Sequence, residues 1–347
     1  MTLRLSRPGV PDACLLDEGF APSLLTVAMN MLVLGGTGFI GSHLAERLAA
    51  SHHRVRVVDR CPNIWDHAVA GVDYRFFELD DRGELDKALE GIEVVFHLIS
   101  STVPKTAEEN PLYDVQSNLV GSLFLFERCV ARRIRKIVYV SSGGTVYGRP
   151  VVLPVAESHA TEPECFYGAT KLAVEKYLAL FNRAHGLDYA ILRPSNPYGA
   201  RQNPHGQQGF IAVLCWKVLS DEETVIWGDG SVVRDYVHVT DVAEALARAG
   251  THATPEKIYN VGSGVGVSLN QLVSIIKTLT EKAPRIRYES ARGFDVPAIY
   301  LDVTRAKNSL LWKPSVGLNE GLSETLDFAR TRLFGTGVEG VREAQGA

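Results

Sequence analysis

Tyr167 and Lys171 lie four residues apart in the run FYGATKL, a spacing that places both side chains on one face of a helix. A tyrosine hydroxyl has an unperturbed pKa of about 10, which is too high for a base at neutral pH. An ammonium group one helical turn away favours the phenolate and would lower that pKa. The pair therefore predicts a base that removes a proton from an alcohol. Taken alone, the same pattern also describes a helix with an exposed lysine and a half-buried tyrosine.

A glycine-rich run that lies about 130 residues before this pair favours the catalytic interpretation. Gly35, Gly38 and Gly41 follow a short apolar run at 31–34 in GxxGxxG spacing, and 43–50 is predicted to be a helix. Glycine serves there for a tight turn, for close approach of the backbone to a pyrophosphate and for contact between helix and strand. The first N–H groups of the helix would hold the phosphates. A dinucleotide cradle followed by a tyrosine base predicts a nicotinamide-dependent enzyme acting on a hydroxyl group.

The residue that closes the next predicted strand indicates which dinucleotide binds. That strand is predicted at 55–58, and Asp59 follows it, 18 residues after Gly41. An acidic side chain at this distance suits both ribose hydroxyls, which favours NAD over NADP. Arg60 points the other way, since a neighbouring arginine could receive a 2′-phosphate.

Short apolar runs alternate with helical stretches from residue 31 onward, which is typical of a doubly wound parallel α/β sheet. Further strands are predicted at 74–77, 94–99, 136–142 and 190–193, and a further helix at 118–132. Ligands of such sheets bind beyond the carboxyl ends of the strands. Four polar side chains fall at those ends, namely Asp59, Ser100, Ser142 and Ser195.

Composition excludes other classes of function. The 347 residues are 46% hydrophobic and carry a net charge of −4, so the chain can bury a large core and has no basic footprint for nucleic acid. No apolar run approaches the ~20 residues of a membrane span. The five scattered cysteines suit a reduced, cytoplasmic protein and have no metal-type spacing. Residues 1–30 form a tail that carries no recognisable chemistry and that we expect to be poorly ordered.

Across residues 31–330 the chain resembles the extended short-chain dehydrogenase/reductase family. The resemblance rests on the motifs GGTGFIG, VFHLIS, SSGGTVYG, YGATK, LRPSNPYGARQ, WGDGSVVRDYVHVTDVAEA and YNVGSG, in this order. The branch that it resembles is that of the NAD-dependent sugar-nucleotide epimerases and dehydratases, in particular the UDP-sugar 4-epimerases of UDP-galactose or UDP-glucuronate type. The resemblance implies a Rossmann domain at 31–196, to which about 232–262 returns, and a smaller mixed α/β substrate lobe at 197–347. It also implies a tightly bound NAD, a UDP-sugar substrate and a homodimer.

The motifs and the resemblance together imply two sets of binding residues. The predicted cofactor residues are Gly35, Thr37, Gly38, Phe39, Ile40, Gly41, Asp59, Arg60, Asp80, Leu98, Ser100, Asn118, Tyr167 and Lys171. The predicted substrate residues are Thr145, Ser195, Asn196, Arg201, Arg234, Arg292 and Ile299. In the second set the two arginines Arg234 and Arg292 would clamp the phosphates, because the guanidinium fork matches phosphate geometry. Ile299 would occupy a gate where epimerases restricted to unsubstituted hexoses often have tyrosine.

The third catalytic member departs from the family pattern. Most relatives have Ser or Thr three residues before the Val of VYG, and this chain has Gly143 there. Ser142 or Thr145, or a water molecule, must then bond the reacting oxygen, and we carry both side chains as catalytic candidates.

The same segment distinguishes between the reactions of the family. Dehydratases typically place an Asp–Glu pair before VYG, and UDP-glucuronate decarboxylases a Glu, whereas this chain has Gly144 and Thr145. Elimination needs an acid and a base there, so a 4-epimerase working through a transient 4-keto sugar and hydride return from NADH is predicted. A dehydratase, a decarboxylase or a ketosugar reductase of the family is the alternative, and a non-enzymatic dinucleotide sensor is disfavoured by the Tyr167–Lys171 pair. The sequence leaves UDP-glucose/UDP-galactose and UDP-glucuronate/UDP-galacturonate equally open, and N-acetylated sugars undecided.

Overall fold

The computed structural model describes residues 28–335 except 66, 207 and 292–295. Almost all of the tail predicted at 1–30 lies outside the described residues, and so does the predicted substrate residue Arg292. Within the described ranges, every helix is too short or too polar to cross a lipid bilayer.

Thirteen strands can be assigned in the described part of the chain. In chain order they are β1 (Asn30–Leu34), β2 (Arg54–Asp59), β3 (Asp73–Phe76), β4 (Val94–His97), β5 (Lys136–Val140), β6 (Asp188–Pro194), β7 (Asn196–Tyr198), β8 (Thr224–Trp227), β9 (Val233–His238), β10 (Ile258–Val261), β11 (Gly266–Ser268), β12 (Ile286–Glu289) and β13 (Ala298–Ile299). The helices are α1 (Phe39–Ala50), α2 (Arg82–Ala88), α3 (Pro104–Glu109), α4 (Pro111–Asp114), α5 (Gly121–Ala131), α6 (Phe166–His185), α7 (Phe210–Leu219), α8 (Val239–Thr251), α9 (Leu269–Thr280), α10 (Thr304–Ser309) and α11 (Leu318–Phe334). A π-helical segment, Val115–Val120, joins α4 to α5.

The main sheet has seven parallel strands in the order β10-β6-β5-β4-β1-β2-β3. Apart from β10, this is the 3-2-1-4-5-6 order of a doubly wound dinucleotide-binding sheet. The predicted Rossmann-type fold is therefore confirmed. Because all strands run in one direction, their carboxyl ends meet at one edge of the sheet, and the site must form at this edge.

Helices cover both faces of this sheet, which is why its strands read as continuous apolar runs. Along β1, Met31 and Val33 face a core that includes Leu44 of α1 and Leu246 of α8. Leu32 and Leu34 face the opposite core, which includes Phe126 of α5 and Leu178 of α6. The alternation follows from the two-residue period of a strand.

Several elements differ from their predicted bounds. The helix after the glycine turn begins at Phe39 rather than at residue 43, because Gly38 adopts the extended N-cap conformation and Gly41 is accommodated inside the helix. The helix predicted at 118–132 is preceded by α4 and the π-helical segment. Asn110 caps α4 by accepting from the Tyr113 N–H, and Pro111 occupies its first position. The strands predicted at 94–99 and 136–142 end at His97 and Val140.

The chain after β6 also builds a smaller mixed α/β part. In it β9 pairs with β7 and β13 in parallel and with β11 in antiparallel, while β8 and β12 form a separate parallel pair. Helices α7, α9 and α11 enclose its core, which includes Leu214, Leu272, Ile276 and Leu322. The fold class predicted for this part is confirmed, and the exact domain division stays a prediction.

Gly250 tests the packing of α8 on the sheet. A Cβ at this position would lie 2.4 Å from Cζ of the buried Phe96 in β4. We expect Gly250→Ala to lower the free energy of unfolding by about 1–3 kcal/mol through overpacking, although alanine is the better helix former. Urea unfolding measures the difference.

Gly83→Ala is the matched control, since Gly83 also lies in a helix, α2, and a Cβ there meets nothing closer than 3.6 Å. Its stability should stay unchanged or rise by up to about 1 kcal/mol. Equal effects of the two substitutions would contradict the proposed contact.

Candidate functional site

The turn between β1 and α1 contains the glycines assigned to the dinucleotide cradle. Gly35 has a φ of +81°, and a Cβ there would lie 3.1 Å from the Ile99 nitrogen. A Cβ on Gly41 would lie 2.1 Å from the Gly35 oxygen, so α1 touches the turn directly. Phe39 and Ile40 follow the Gly38 cap in the first turn of α1, whose N–H groups have no carbonyl partners within the helix. These positions fit a pyrophosphate at the helix N-terminus.

Asp59 lies at the end of β2 beside this turn. Its carboxylate accepts hydrogen bonds from the backbone N–H groups of Thr37, at 3.1 Å, and of Arg60, at 2.8 Å. The Thr37 hydroxyl donates to the carbonyl of Cys61 at 2.8 Å. The carboxylate is therefore fixed at the edge of the cradle and keeps acceptor capacity for ribose hydroxyls.

The predicted cofactor residues after β3 and β4 lie in different environments. The Leu98 N–H donates to the Leu34 carbonyl at 3.0 Å, which places Leu98 directly beside the glycine turn. Ser100 is exposed and hydrogen-bonds the hydroxyl of Tyr167. Asp80 is exposed and immediately precedes Asp81, the residue that caps α2.

Tyr167 and Lys171 lie in the first two turns of α6. The thiol of Cys165 caps this helix by accepting from the Gly168 N–H at 3.4 Å. Lys171 is 4% exposed, and its Nζ donates to the Val140 carbonyl at the end of β5 at 3.1 Å. The same Nζ lies 5.6 Å from the ring centroid of Tyr167. The structure thus brings the two side chains together, and their catalytic roles stay a prediction.

Burial shifts the protonation of both groups in the chain itself. It raises the pKa of Tyr167 to about 12, against a hydrogen bond from Ser100 that lowers it. It lowers the pKa of Lys171 to about 8, against the carboxylates of Asp114 and Glu175, which raise it. The sequence pattern predicts that Lys171 lowers the pKa of Tyr167, but desolvation outweighs any such effect in the chain alone. A phenolate at neutral pH therefore needs further positive charge beside Tyr167.

Gly143 occupies a position with no space for a side chain. Its N–H donates to the Pro194 carbonyl at 2.8 Å, which ties the loop after β5 to the end of β6. A Cβ would lie 2.6 Å from Cδ1 of the buried Leu301 and 2.9 Å from the carbonyl oxygen of Arg193. The Leu301 side chain therefore fills the space that a serine or threonine would need. Ser142 is half-buried, and its carbonyl accepts from the Val146 N–H at 3.3 Å.

Thr145 and Ser195 supply two buried hydroxyl oxygens at the strand ends. Neither Oγ has a hydrogen-bond partner in the described part of the chain. The Ser195 backbone is held by its N–H, which donates to the Val261 carbonyl of β10 at 2.8 Å. A buried hydroxyl without a partner costs about 1–3 kcal/mol, so both groups fit a polar ligand that would complete their hydrogen bonds.

Three other predicted substrate residues lie on β9 and on the two strands that pair with it in parallel. The Asn196 amide donates to the carbonyl of Asp235 at 2.9 Å. Arg234 is the register partner of Ile299 in β13, and its guanidinium donates to the Val296 carbonyl at 2.6 Å. Ile299 is 2% exposed and belongs to a small core with Leu301.

The predicted substrate residue Arg201 contacts side chains of α1 and of the segment after β2. Its guanidinium donates to Glu46 of α1 at 2.8 Å and contacts the ring of His67 at 2.9 Å. These contacts engage the end of its side chain beside α1, and its role in substrate binding stays a prediction.

Two buried carboxylates near Lys171 are absent from the sequence-based site. Asp114 is 0% exposed and hydrogen-bonds Asn118, whose amide is thereby engaged inside the protein although it is a predicted cofactor residue. Glu175 forms a two-point ion pair with Arg193 at 2.9 and 2.5 Å. Glu175 could have been found, because it follows Lys171 by four residues on the same helical face. Nothing in the local pattern marks Asp114.

Comparisons with known proteins agree with this geometry. Residues 31–262 match the family model of the NAD dependent epimerase/dehydratase family. The UDP-glucose 4-epimerase of Mycolicibacterium smegmatis is 37% identical over 315 residues, which cover 88% of this chain and 99% of that protein. The crystal structure of UDP-glucose 4-epimerase with UDP-glucose from Thermotoga maritima matches with a TM-score of 0.84 and 36% identity, over 88% of this chain and 100% of that one. MoeE5 in complex with UDP-glucuronic acid and NAD matches with a TM-score of 0.81 and 31% identity, over 87% and 99%.

Gly143→Ser tests whether Leu301 excludes the usual hydroxyl. We expect this variant to lose about 1–3 kcal/mol of stability by overpacking and to gain no activity. Urea unfolding and turnover of the substrate measure the two effects.

Gly144→Ser is the control in the adjacent position, where a Cβ meets nothing within 4 Å. Its stability should remain within about 0.5 kcal/mol of the parent. A Gly143→Ser variant as stable as the parent and more active would show that the space is available after all.

Proposed function

The chain belongs to the NAD dependent epimerase/dehydratase family, and from this premise we propose that it is a UDP-hexose 4-epimerase. One observation carries the proposal. The Tyr167–Lys171 pair lies at the carboxyl edge of a dinucleotide-binding sheet, next to the segment SSGGTVYG, which has no carboxylate and contains the unpartnered hydroxyl of Thr145. That combination supports reversible oxidation of an alcohol, and the segment offers no carboxylate for elimination.

The two buried carboxylates near Lys171 do not supply the missing acid and base. Asp114 accepts hydrogen bonds from three neighbouring side chains, and Glu175 is paired with Arg193. Both are 2% exposed or less, so neither reaches a sugar ring. Dehydration requires a group that protonates the leaving hydroxyl and another that removes the C5 proton. The geometry therefore favours epimerisation over dehydration.

The cofactor residues that would hold NAD are those of the glycine turn, Asp59 and Lys171. When bound, NAD supplies a cationic ring and a reversible hydride acceptor, so a sugar hydroxyl can be oxidised and reduced again without net turnover. Lys171 uses one of its three N–H donors on Val140 and keeps two for the nicotinamide ribose. The positive charge of the bound nicotinamide ring would oppose the effect of burial, which raises the pKa of Tyr167.

Tyr167 is the proposed base and acid of the reaction. Its phenolate takes the proton from the sugar O4, and the same hydroxyl gives a proton back when the C4 centre is reduced from its other face. Thr145 and Ser195 orient the sugar through hydroxyls that otherwise lack partners. Gly143 and Leu301 close the position where relatives place a hydroxyl, so Thr145, or Ser142, bonds the reacting oxygen instead.

The proposed substrates are two UDP-sugar pairs, UDP-glucose/UDP-galactose and UDP-glucuronate/UDP-galacturonate. The relatives with bound UDP-glucose and bound UDP-glucuronic acid support one pair each. Thr145 and Ser195 can donate to a hydroxymethyl or to a carboxylate. We propose that Arg234 and Arg292 hold the diphosphate together with Asn196.

The identity of the sugar is tested by incubating the purified protein with UDP-glucose, UDP-glucuronate and UDP-N-acetylglucosamine separately, without added cofactor. Anion-exchange chromatography and mass spectrometry resolve the products. We expect a new peak of unchanged mass from at least one of the first two. A product that has lost water or carbon dioxide would replace the epimerase proposal by a dehydratase or a decarboxylase.

Tyr167→Phe tests the base. Loss of general acid–base catalysis should lower kcat about 10²–10⁴-fold, while the NAD content of the purified protein stays unchanged. Tyr177→Phe on the same helix is the control, because Tyr177 is 41% exposed, and its activity should equal that of the parent. Equal activity of both variants would remove Tyr167 from the mechanism.

We also propose that the chain acts as a homodimer through the faces of α5 and α6. These helices pack side by side, and exposed apolar side chains next to and on them, Tyr113, Val120 and Leu180, support the proposal. A cytoplasmic location stays a prediction of the cysteine pattern.

Light scattering should give twice the chain mass of 38.0 kDa. The double variant Val120→Arg/Leu180→Arg should give the monomer mass, because a charge at an apolar interface is left unpaired. A parent protein of monomer mass would refute the dimer.

A further inference from the structure

The ammonium group of Lys171 lies in the protein interior, where water does not solvate its charge. The residue is 4% exposed, and the carbonyl of Val140 is its one hydrogen-bond acceptor in the described part of the chain. A buried ammonium without an opposite charge is strongly unfavourable, and such a group loses its proton instead. The proton on Lys171 therefore depends on which charged groups face it.

Five titratable groups face Lys171 from four elements. Tyr139 of β5 lies 5.1 Å from its Nζ by ring centroid, and burial raises its pKa well above 10, so it is neutral. His97 of β4 is also buried, which lowers its pKa to about 3 and leaves it neutral. Tyr167 of α6 is the third group. The two carboxylates, Asp114 of α4 and Glu175 of α6, are the only negative charges among them.

Glu175 is already neutralised by another cation. Arg193 donates to both of its carboxylate oxygens, at 2.9 and 2.5 Å, and the hydroxyl of Ser141 donates at 2.5 Å. Arg193 is 1% exposed, so this ion pair is desolvated on both sides. The Glu175–Arg193 pair has no net charge, so it acts on Lys171 only as a dipole.

Asp114 differs because its hydrogen-bond donors in the described chain are all neutral. Its Oδ2 accepts from the hydroxyl of Thr170 at 2.5 Å, and its Oδ1 accepts from the Asn118 amide at 2.9 Å and from the hydroxyl of Thr102. These groups fix the carboxylate without cancelling its charge. Thr170 is the residue immediately before Lys171, so the carboxylate is attached to the same turn of α6.

From this arrangement we propose that Asp114 is the counter-ion of Lys171 and a positioning residue for the reaction proposed above. It acts through Lys171: its negative charge keeps the buried ammonium protonated, and its bond to Thr170 holds that turn of α6 against α4. The direction of the pKa shifts supports this, because Asp114 is the strongest of the two groups that oppose the effect of burial on Lys171. The positioning role of Asp114 rests on the proposed function. The pairing of its charge with that of Lys171 does not depend on it.

A double-mutant cycle in stability tests the pairing independently of any reaction. The cycle compares the parent, Asp114→Asn, Lys171→Met and the double variant by urea unfolding at pH 6.5 and at pH 9.5, at one saturating NAD concentration. Asparagine keeps the shape, and its amide can still bond the Thr170 hydroxyl. At pH 6.5, Asp114→Asn should raise the unfolding constant at least about tenfold more with Lys171 present than with Lys171→Met.

The sign of the pH dependence follows from the lowered pKa of Lys171. With a folded pKa of about 8, below the unfolded value of 10.5, the charged form is disfavoured in the folded protein, and stability from this group rises as the pH increases from about 8 to 10.5. At pH 9.5 the folded Lys171 is mostly neutral, and the coupling should become small. Coupling that is absent at pH 6.5, or equal at both pH values, would overturn the pairing.

The double variant also covers the case in which Asp114→Asn does not fold, and a substitution elsewhere serves as control. If Asp114→Asn alone does not fold, the double variant should fold and be more stable than Lys171→Met, since it removes a buried anion that has lost its cation.

Asp241→Asn is the matched control. Asp241 is 3% exposed and bonds Ser315 and the Val316 N–H, and it is not among the charges that act on Lys171. Its effect should be additive with Lys171→Met at both pH values.

The pH profile of kcat/KM tests the role in the reaction. The parent should lose activity on the alkaline side near the pKa of Lys171, about 8. In Asp114→Asn this limb should move to lower pH by about one unit, so that kcat/KM falls about tenfold at pH 8.5 and less than about threefold at pH 6.5. A uniform loss at every pH would show a purely structural role. A positive stability cycle together with no epimerase activity would refute the proposed function and leave the pairing intact.

Discussion

Lys171 places its ammonium group beneath the ends of the central strands, and burial of a charge must be compensated wherever it occurs. Three groups from different elements around Lys171 contribute to this compensation. The Val140 carbonyl at the end of β5 accepts one hydrogen bond, the Asp114 carboxylate faces the charge from α4, and Glu175 is neutralised by Arg193 before it faces the same group. Because the lysine is fixed in this way, Tyr167 one turn earlier is held at the edge of the sheet where ligands bind.

The parallel sheet determines where these groups can meet, and two close contacts determine how. Gly41 allows α1 to touch the turn after β1, which leaves a cradle of backbone N–H groups rather than side chains. Gly143 allows Leu301, from the chain after β13, to fill the space of the usual hydroxyl. The smaller part of the protein therefore shapes this edge of the sheet directly, because Leu301 packs where a side chain at residue 143 would lie.

The likeness to epimerases and the site chemistry point in the same direction for separate reasons. The likeness rests on 36–37% identity over most of the chain. The chemistry rests on the unpartnered hydroxyls of Thr145 and Ser195 and on two buried carboxylates, Asp114 and Glu175, that are engaged inside the protein. These properties support the proposed oxidation and reduction of one carbon of the sugar.

The sequence by itself determined the sheet, the cradle and the Tyr167–Lys171 pair, because each depends on residues that are close together in the chain. Glycine spacing, strand-length apolar runs and a four-residue helical interval are local signals, and their main errors were helix and strand ends such as Phe39 and Val140. The tertiary structure alone decided that Asp114 faces Lys171, why residue 143 is glycine and that Arg201 contacts Glu46. Those contacts join residues that are 57 to 158 positions apart, and desolvation depends on everything that packs around a group, so no local pattern could have predicted them.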